Sequence, residues 1–309
     1  MELIRRLTGA RAQRYESIVT IGTFDGLHVG HQALIARVLE HSAATGLKAA
    51  LVSFEPMPRE YLQRATPPAR LTNFRERWRL LESLGLDTFC QLPFNARLRA
   101  QSGAEFLGSL VAWGARRVII GHDFRFGHGG QADAEWCLGQ AKALGIAVEV
   151  IAPVLLDGQR ASSGLVREAL AQSEFGRAAQ LLGRPYTMCG RVLRGRELGR
   201  TLGFPTANLA LRRRRAALAG IFAVRIQGPG LTDWPGVASL GTRPTVDGVE
   251  PLLEAHLFDW AGNLYGAELE IEFVGKLRDE QKFDSLPLLV AQMHQDAAQA
   301  RALLKVQGA

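Results

Sequence analysis

Residues 20–31 read Thr-Ile-Gly-Thr-Phe-Asp-Gly-Leu-His-Val-Gly-His, and the expected structure of the first half of the chain follows from this segment. The apolar positions of Ser17–Thr23 predict a strand, and the pair Asp25-Gly26 predicts a turn after it. A helical pattern then runs from about Gly30 to Glu40. A strand that turns sharply into a helix brings the unpaired N–H groups of the helix N-terminus to the end of the strand.

Two histidines stand at the expected start of this helix. His28 and His31 are three residues apart, and Gly22, Gly26 and Gly30 allow backbone to approach a ligand closely. A helix N-terminus attracts anions, and imidazole N–H groups placed there can donate to phosphate oxygens. The arrangement therefore predicts a nucleotide site at which the α-phosphate is attacked.

A helix-packing face or a metal site would account for these residues less well. Glycines four apart are typical of a helix-packing face, but Gly22 follows a strand and Asp25-Gly26 is turn chemistry. Two histidines at i and i+3 could bind a metal ion, yet no third ligand of suitable spacing lies nearby. Phosphate binding is therefore the favoured interpretation.

The length and the composition limit the class of protein. A chain of 309 residues predicts two domains, and a hydrophobic content of 47% is enough for ordinary packed cores. No apolar run approaches 18 residues, and residues 1–17 lack the apolar region of a secretory signal. Cys90, Cys137 and Cys189 contain no Cys-x-x-Cys pair, so we expect free thiols in a reducing, cytoplasmic setting.

The chain is basic, with a formal net charge of +7. A basic balance suits either nucleic acid or anionic small substrates. The one dense basic run, Arg212–Arg215, has no interleaved aromatic residues, so we expect a solvated loop rather than an RNA-binding patch. Neither a nucleic-acid partner nor a membrane partner is expected.

Strand-like and helical patterns alternate over the first half of the chain. The predicted strands are Ser17–Thr23, Lys48–Phe54, Thr88–Leu92, Arg117–Gly121 and Ala147–Ile151, and the helices between them are His31–Thr45, Phe74–Gly85, Ala104–Trp113 and Ala134–Leu144. This order predicts an α/β domain with a doubly wound parallel sheet, whose ligands bind outside the carboxyl ends of the strands. Motifs follow those ends at 22–31, 54–58, 121–127 and 160–163, and we expect them to converge on one crevice.

The pattern changes near Leu181–Arg184. Short apolar alternations, separated by Gly, Pro and Asp, follow at Thr187–Leu193, Ile221–Ile226, Gly236–Leu240, Leu252–Phe258 and Leu269–Val274. They predict a small antiparallel barrel or sandwich, and one long helix over Leu286–Leu304 ends the chain. We therefore expect two domains, 1–183 and 184–309.

The segment from Gly203 to Asn208 reads Gly-Phe-Pro-Thr-Ala-Asn. The chain contains no Gly-x-x-x-x-Gly-Lys-[Ser/Thr] motif, so ATP would not be held by a P-loop here. Thr206 and Asn208 point the same way on an extended segment, and their neutral oxygens suit Mg²⁺ together with phosphate oxygens and water. A proline turn with an Asx contact is the alternative, and it is favoured when the segment is taken alone.

A glutamate lies on one of the predicted strands of the second half. Alternation places Glu254 and His256 on one face of the strand and Leu253, Ala255 and Leu257 on the other. A lone glutamate on a strand is usually solvated. Beside magnesium-bound ATP it could instead accept a proton from an attacking hydroxyl.

Eight motifs together point to one family. They are Gly-Thr-Phe-Asp-Gly-Leu-His-Val-Gly-His at 22–31, Phe-Glu-Pro-Met-Pro at 54–58, Gly-His-Asp-Phe-Arg-Phe-Gly at 121–127, Arg-Ala-Ser-Ser at 160–163, Leu-Gly-Arg-Thr-Leu-Gly-Phe-Pro-Thr-Ala-Asn at 198–208, Leu-Gly-Thr-Arg-Pro-Thr at 240–245, Leu-Glu-Ala-His at 253–256 and Leu-Arg-Asp-Glu-Gln-Lys-Phe at 277–283. In their number and order the chain resembles the prokaryotic bifunctional riboflavin kinase/FAD synthetase family along nearly its full length.

The resemblance implies two ATP-dependent reactions. A kinase domain at 184–309 would phosphorylate the 5′-hydroxyl of riboflavin to give FMN. A nucleotidyltransferase domain at 1–183 would transfer AMP from ATP to FMN, giving FAD and pyrophosphate. Mg²⁺ is the implied cofactor, and riboflavin, FMN, FAD and ATP are the implied ligands.

For adenylyl transfer, the resemblance implies that His28 and His31 stabilise negative charge on the ATP phosphates in the transition state. It places Asp123 beside the flavin and the nucleotide, and it assigns Ser163 and Arg167 to the ATP phosphates. Further implied contacts to the nucleotide or the flavin are Gly22, Phe24, Asp25 and Arg160.

For the kinase reaction, the resemblance implies that Thr206 and Asn208 hold Mg²⁺ and phosphate. Gly203 is expected beside the nucleotide, and Glu254 is the implied base. Three residues depart from the family pattern, namely Met57, Gly130 and Gly164. All three lie in the half assigned to adenylyl transfer, whereas the kinase motifs are nearly intact.

Three different functions stay open on the sequence alone. They are a chain that makes only FMN because its first half has decayed, a flavin-binding regulator without turnover, and a different adenylyl- or cytidylyltransferase. Thr206, Asn208 and Glu254 argue against a regulator, because binding alone needs no base near a metal ion. The Pro-Thr-Ala-Asn of the second half argues against a different transferase.

Overall fold

A computed structural model describes residues 1–7, 15–195, 199, 202–245 and 248–305, apart from the side chains of 243–249. Residues 198, 200 and 201 of one motif, and the side chains of 243–245 of another, therefore lie outside the described part. The chain divides into two compact units. The first comprises 1–68 and 77–162, and the second comprises 69–76 and 163–309.

The first unit is built on a six-stranded sheet, and every strand pairs in parallel. Its strands are β1 Glu2–Ile4, β2 Ser17–Ile21, β3 Lys48–Glu55, β4 Thr88–Pro93, β5 Ala115–Gly121 and β6 Ala147–Ile151, in the order β1-β4-β3-β2-β5-β6. The predicted doubly wound sheet is confirmed, and its five predicted strands are all present. Strand β1 was not predicted, because three residues are too few for a periodic pattern. A two-stranded hairpin, β7 Leu155–Leu156 and β8 Gln159–Arg160, follows the sheet.

Helices connect the parallel strands, as such a sheet requires. They are α1 Val29–Thr45, α2 Pro58–Leu62, α3 Phe74–Ser83, α4 Ala96–Ala100, α5 Gly103–Trp113 and α6 Ala134–Leu144. The start of α1 has His28 as its N-cap residue, and Gly46 ends the helix in a left-handed conformation. Strand β2, which leads into α1, lies inside the sheet between β3 and β5. All of its residues are buried.

The second unit contains a closed barrel of six antiparallel strands. They are β9 Thr187–Leu193, β10 Ala207–Ala210, β11 Gly220–Gly228, β12 Leu231–Thr245, β13 Gly248–Leu257 and β14 Glu268–Arg278, in the order β10-β13-β12-β11-β14-β9. The prediction of a barrel or a sandwich is thus resolved as a barrel. Closure leaves the sheet without unpaired edges, and it needs β10, which was too short to be predicted as a strand.

Among the residues described, three helices accompany the barrel: α7 Ser163–Ala171, α8 Phe175–Leu182 and α9 Leu286–Leu304. The predicted bounds of the last helix are confirmed. Ala300 and Leu304 of α9 are buried in one cluster with Ala223 and Phe258 of the barrel half. The ring of Phe175 on α8 lies edge-on to Phe222 with 6.0 Å between centroids, so α8 packs on the barrel too.

The three cysteines are free, as predicted, and all three are buried. Burial raises the pKa of the Cys90 thiol to about 12. Burial and the nearby Asp133 carboxylate raise the pKa of Cys137 to about 11. Both thiols therefore stay protonated at neutral pH and have little nucleophilic character.

The prediction of a solvated loop at 212–215 is wrong for one residue. Arg213 has a fully buried side chain, and its Nη2 donates to both carboxylate oxygens of Glu76 at 2.6 and 2.8 Å. The same carboxylate accepts the backbone N–H of Cys189 at 2.6 Å, and Arg213 Nη1 donates to the Tyr186 hydroxyl at 3.3 Å. The ion pair joins residues 137 positions apart within the second unit, and no local sequence pattern predicts it.

Replacing Arg213 by Met is expected to destabilise the second unit by about 3–5 kcal/mol, since it leaves the Glu76 carboxylate buried without its charge partner. Urea unfolding followed by circular dichroism measures the change. Arg214→Met is the matched control, because Arg214 is exposed and surface changes usually stay within about 0.5 kcal/mol. Equal stability of the two variants would contradict the assignment.

Candidate active sites

The turn after β2 is held in an unusual backbone conformation. Phe24 is buried and has a φ of +52°, a region that residues other than glycine rarely adopt. Its ring lies 4.9 Å from the ring of His31 between centroids. A Cβ added to Gly22 would lie 3.0 Å from the Phe24 ring, so glycine provides the space in which Phe24 packs under the histidine.

The two predicted histidines form a stacked pair at the start of α1. Their ring centroids are 3.7 Å apart, and the planes are inclined by 23°. The side chain of His28 makes no capping hydrogen bond to the helix, and His31 Nδ1 is buried without a hydrogen-bond partner in the described part of the chain. Burial, and secondarily the charge of His28, hold the pKa of His31 well below its usual range. His31 therefore enters the site as a neutral imidazole with an unused ring nitrogen.

The segment after β8 reaches the same helix start. A Cβ on Gly30 would lie 3.2 Å from the His28 ring and 3.5 Å from the carbonyl oxygen of Ala161. The side chain of Arg160 pairs with the Asp123 carboxylate, which follows β5. The structure thus brings two predicted residues, Asp123 and Arg160, directly together, while the predicted Asp25 is buried in the turn after β2.

Two residues predicted to hold phosphate belong to the second unit. Ser163 begins α7, and Arg167 lies one turn further along that helix. Arg167 Nε donates to the carbonyl oxygen of Ala69 at 2.6 Å, and its Nη1 donates to the Ser163 carbonyl at 3.2 Å. Their role toward ATP stays a prediction.

One buried arginine of the first unit was not predicted from the sequence. Arg77 has a side chain without exposed surface, and its Nη2 lies 3.0 Å from Glu55 Oε2. Its Nη1 is 3.3 Å from the Thr23 carbonyl oxygen and 3.4 Å from Ser53 Oγ. Arg77 thereby supports the turn before Phe24. An arginine in a polar helical pattern is normally solvated, so the sequence gives no signal for this contact.

The three departures from the family pattern occupy different environments. Met57 is buried as the N-cap residue of α2. Gly130 has a φ of +71°, a conformation in which a longer residue would be strained. Gly164 lies in the first turn of α7, where the backbone has a helical conformation that residues other than glycine also adopt.

The barrel places the predicted base opposite a predicted ligand. Asn208 of β10 and Glu254 of β13 are Cα partners across the antiparallel pair, and Glu254 is in turn the partner of Ser239 on β12. Directly opposite residues lie on the same face with Cβ atoms about 5 Å apart. Leu253 and Ala255 are fully buried on the other face, as the alternation predicts. Asn208, Glu254 and Ser239 therefore form one polar row on the barrel surface.

A second carboxylate lies beside this row. The Ser239 hydroxyl is 3.5 Å from Glu280 Oε1, and a Cβ on Gly241 would collide with the Glu280 carboxylate. Burial of Glu254, and secondarily the negative charge of Glu280, raise the pKa of Glu254 above its usual value. A carboxylate with a raised pKa is a stronger proton acceptor.

The predicted Mg²⁺ ligands lie against glycines. A Cβ on Gly195 would lie 2.6 Å from Asn208 Nδ2, and a Cβ on Gly199 would lie 3.4 Å from Thr206 Oγ1. Gly203 has a φ of +82°, which turns the chain just before Phe204. The backbone thus comes close to both polar side chains.

A cavity of about 550 Å³ opens beside Thr206, a size suited to a small-molecule ligand. Its lining includes Arg194, Trp260, Asn263 and Tyr265, none of which was predicted from the sequence. The Arg194 guanidinium lies 5.5 Å from the centroid of the Tyr265 ring. The Trp260 indole N–H is buried without a hydrogen-bond partner among the residues described. Glycines at 262 and 266 in a loop were the only available signal.

Comparison with known proteins decides the family. A family model described as FAD synthetase matches residues 10–165, and one described as riboflavin kinase matches residues 182–304. The chain is 43% identical over 306 residues to the bifunctional riboflavin kinase/FMN adenylyltransferase of Pseudomonas fluorescens, covering 98% of both chains. The same enzyme of Escherichia coli K12 is 39% identical over 304 residues, with 97% of both chains covered.

The chain belongs to the bifunctional riboflavin kinase/FMN adenylyltransferase family. A crystal structure from Streptococcus pneumoniae described as a macrolide-efflux protein shares its fold, with a TM-score of 0.76, 29% identity and coverage of 93% and 94% of the two chains.

The bifunctional enzyme makes FMN from riboflavin and ATP, and then makes FAD and pyrophosphate from FMN and ATP. This finding sets aside the regulator, the FMN-only enzyme and the unrelated transferase. The stacked histidines lie within the FAD synthetase match, and Glu254 lies within the riboflavin kinase match. Within the described residues, no helix is long and apolar enough to cross a membrane.

Proposed function

We propose that the two reactions take place at two separate sites, one in each half of the chain. The stacked His28 and His31 pair serves adenylyl transfer in a domain at 1–183, and Glu254 serves the kinase reaction in a domain at 184–309. The observation that carries the proposal is the polar row of the barrel, in which Asn208 and Glu254 are direct partners across β10 and β13.

In the kinase reaction, Glu254 accepts the proton of the riboflavin 5′-hydroxyl as that oxygen attacks the γ-phosphate of ATP, and ADP leaves with the bridging oxygen. The raised pKa of Glu254 supports this role. The cavity beside Thr206 accommodates the nucleotide, and Gly203 lets the chain turn toward the phosphates.

The neutral oxygens of Thr206 and Asn208 fit Mg²⁺. The chemistry of the donors suits this hard cation, and the missing Cβ at Gly195 leaves the space that the Asn208 amide itself occupies. No group of three His, Cys, Asp or Glu residues that could hold a metal ion occurs among the described residues, so phosphate oxygens and water would complete the ligand set. When bound, the ion neutralises charge on the phosphates.

In adenylyl transfer, His28 and His31 donate N–H groups to the phosphate oxygens as charge develops at the α-phosphate. Asp123, paired with Arg160, borders the flavin and the nucleotide, and Ser163 and Arg167 hold phosphates. The turn formed by Gly22, Phe24 and Asp25 lines the nucleotide.

One assay tests the overall proposal. Purified protein is mixed with riboflavin, ATP and Mg²⁺, and the flavins are separated by chromatography. FMN should appear first and FAD afterwards, and chelation of the divalent ion should stop both. FMN or FAD formation undiminished in EDTA would contradict the metal assignment.

Asn208→Ala is expected to raise the Mg·ATP concentration needed for FMN formation about tenfold or more, because it removes one oxygen ligand. FAD formation from supplied FMN should be unchanged, and it provides the internal control in the same protein. Titration of Mg·ATP at saturating riboflavin measures the effect. A shift of the same size in both reactions would show that Asn208 does not belong to the kinase site alone.

The isolated fragment 184–309 is expected to phosphorylate riboflavin but to unfold at a lower temperature than the full chain. It keeps the barrel and α9 but lacks Glu76, the charge partner of Arg213. The unfolding temperature is measured by circular dichroism, and the kinase activity is measured as FMN formation from riboflavin and ATP. Arg213→Met should destabilise the fragment far less than the full chain, since the ion pair is already absent. A soluble fragment without kinase activity would contradict the proposed domain boundary.

A further inference from the structure

One histidine of the barrel contacts the segment that bears the proposed metal ligands. His256 lies on β13 two residues after Glu254, on the same face of the strand. Its Nδ1 is 2.9 Å from the carbonyl oxygen of Pro205. Because a carbonyl only accepts, Nδ1 carries the proton and donates. Pro205 immediately precedes Thr206 in the chain.

The ring of His256 also packs against the neighbouring aromatic side chains. Phe204 meets it edge-on with 5.1 Å between centroids, and Phe258 does so at 5.9 Å. Phe204 also meets the ring of His294 on α9 edge-on, with 4.9 Å between centroids. His256 thus contacts the side chain of one residue and the backbone of the next, directly before Thr206.

The hydrogen bond to Pro205 determines which ring nitrogen carries the proton when the imidazole is neutral. Burial, with a smaller effect of the Arg301 charge, lowers the pKa of His256, whereas the Pro205 carbonyl and the Asp259 charge oppose that shift. A neutral ring has one N–H, and the hydrogen bond to Pro205 uses it. The ring therefore links β13 to Pro205, which lies just before β10.

We infer that His256 is a positioning residue of the kinase site, which sets the backbone at Pro205 so that Thr206 and Asn208 face Glu254. This inference rests on the proposed roles of those three residues. The strand that carries the base is thereby joined to the segment that carries the metal and phosphate ligands. Loss of the N–H donor should weaken productive binding of Mg·ATP, while the binding of riboflavin should change little.

Two substitutions of similar size separate this role from a purely structural one. His256→Asn keeps an N–H donor near the position of Nδ1, whereas His256→Gln places its donor near the position of Nε2. In the full-length protein, His256→Gln should raise the KM for Mg·ATP in FMN formation tenfold or more, with less than a threefold change in the KM for riboflavin. His256→Asn should stay within threefold of the wild type in both constants.

FAD formation from supplied FMN and the unfolding temperature serve as controls in each variant, because a general loss of structure would change both. Equal losses in the Asn and Gln variants, or a KM for Mg·ATP that stays normal in the Gln variant, would overturn the inference. Asn208→Ala and Glu254→Gln are measured alongside. Normal FMN formation in Asn208→Ala and Glu254→Gln would show that the proposed kinase site itself is wrong. If those two variants lose FMN formation while His256→Gln stays normal, only the role of His256 is wrong.

Discussion

Glu254→Gln is expected to lower FMN formation by about 10²–10⁴-fold, the range of a general base. Glutamine keeps the size and hydrogen bonding of the side chain but loses its basicity. The riboflavin 5′-hydroxyl is a poor nucleophile at neutral pH, so removal of its proton should then limit the rate. Initial rates at saturating riboflavin and Mg·ATP measure the effect.

Two controls accompany this variant. Riboflavin binding, followed by quenching of flavin fluorescence, should persist, and supplied FMN should still be converted to FAD. Glu280→Gln is a matched change at the neighbouring carboxylate, and it should have a much smaller effect on turnover because Glu280 acts on Glu254 only through its charge. Near-normal turnover of Glu254→Gln, where chemistry limits the rate, would mean that the proton leaves by another path and that Glu254 only orients the flavin.

His28→Ala and His31→Ala are each expected to lower FAD formation from FMN by about 10²-fold or more, the scale for loss of one donor to a transition-state charge. Each imidazole sits at the start of α1, and the two rings stack at 3.7 Å. The effect should fall on kcat more than on KM, since the charge develops during the reaction.

His41→Ala provides a control for these two variants. His41 lies near the other end of the same helix, where its Nε2 is 2.6 Å from Glu149 Oε2. FAD formation should therefore change little. FMN formation should be unaffected in all three variants. A loss of the same size in His41→Ala would contradict a specific role of His28 and His31, because any histidine replacement on α1 would then have the same effect.

Much of the fold could be predicted from the sequence because the decisive elements have strong local patterns. The buried strand Ser17–Ile21, the turn after it and α1 follow from adjacent residues, and the spacing of Leu286–Leu304 predicts α9 with its bounds. The alternation around Glu254 likewise predicts which of its neighbours are buried. Local periodicity was sufficient in each of these cases.

The rest depends on contacts between distant residues. Arg213 lies in a basic run that is typical of a solvated loop, yet its partner Glu76 is 137 residues away. Arg77 follows the pattern of an exposed helical residue, but its guanidinium pairs with the Glu55 carboxylate and donates to the backbone carbonyl of Thr23. A charged side chain is buried only where an opposite charge or hydrogen-bond acceptors lie beside it. The local sequence does not show which distant residue will provide that partner.

The partnership of Asn208 and Glu254 shows the same limit. Both residues were singled out from their own motifs, but only the register of β10 and β13 places them opposite each other. Strand register follows from closure of the whole barrel. The loop that lines the cavity with Trp260 and Tyr265 is similar, because only the folded chain brings it beside Thr206.

The two proposed active sites, one in each half of the chain, are expected to work independently. The most direct test follows flavin products over time in Glu254→Gln and His31→Ala, each supplied first with riboflavin and then with FMN. His31→Ala is expected to convert riboflavin to FMN at the wild-type rate and to accumulate it, whereas Glu254→Gln should make FAD only when FMN is supplied. A folded His31→Ala variant that fails to make FMN from riboflavin, or a folded Glu254→Gln variant that fails to convert supplied FMN to FAD, would contradict independent sites.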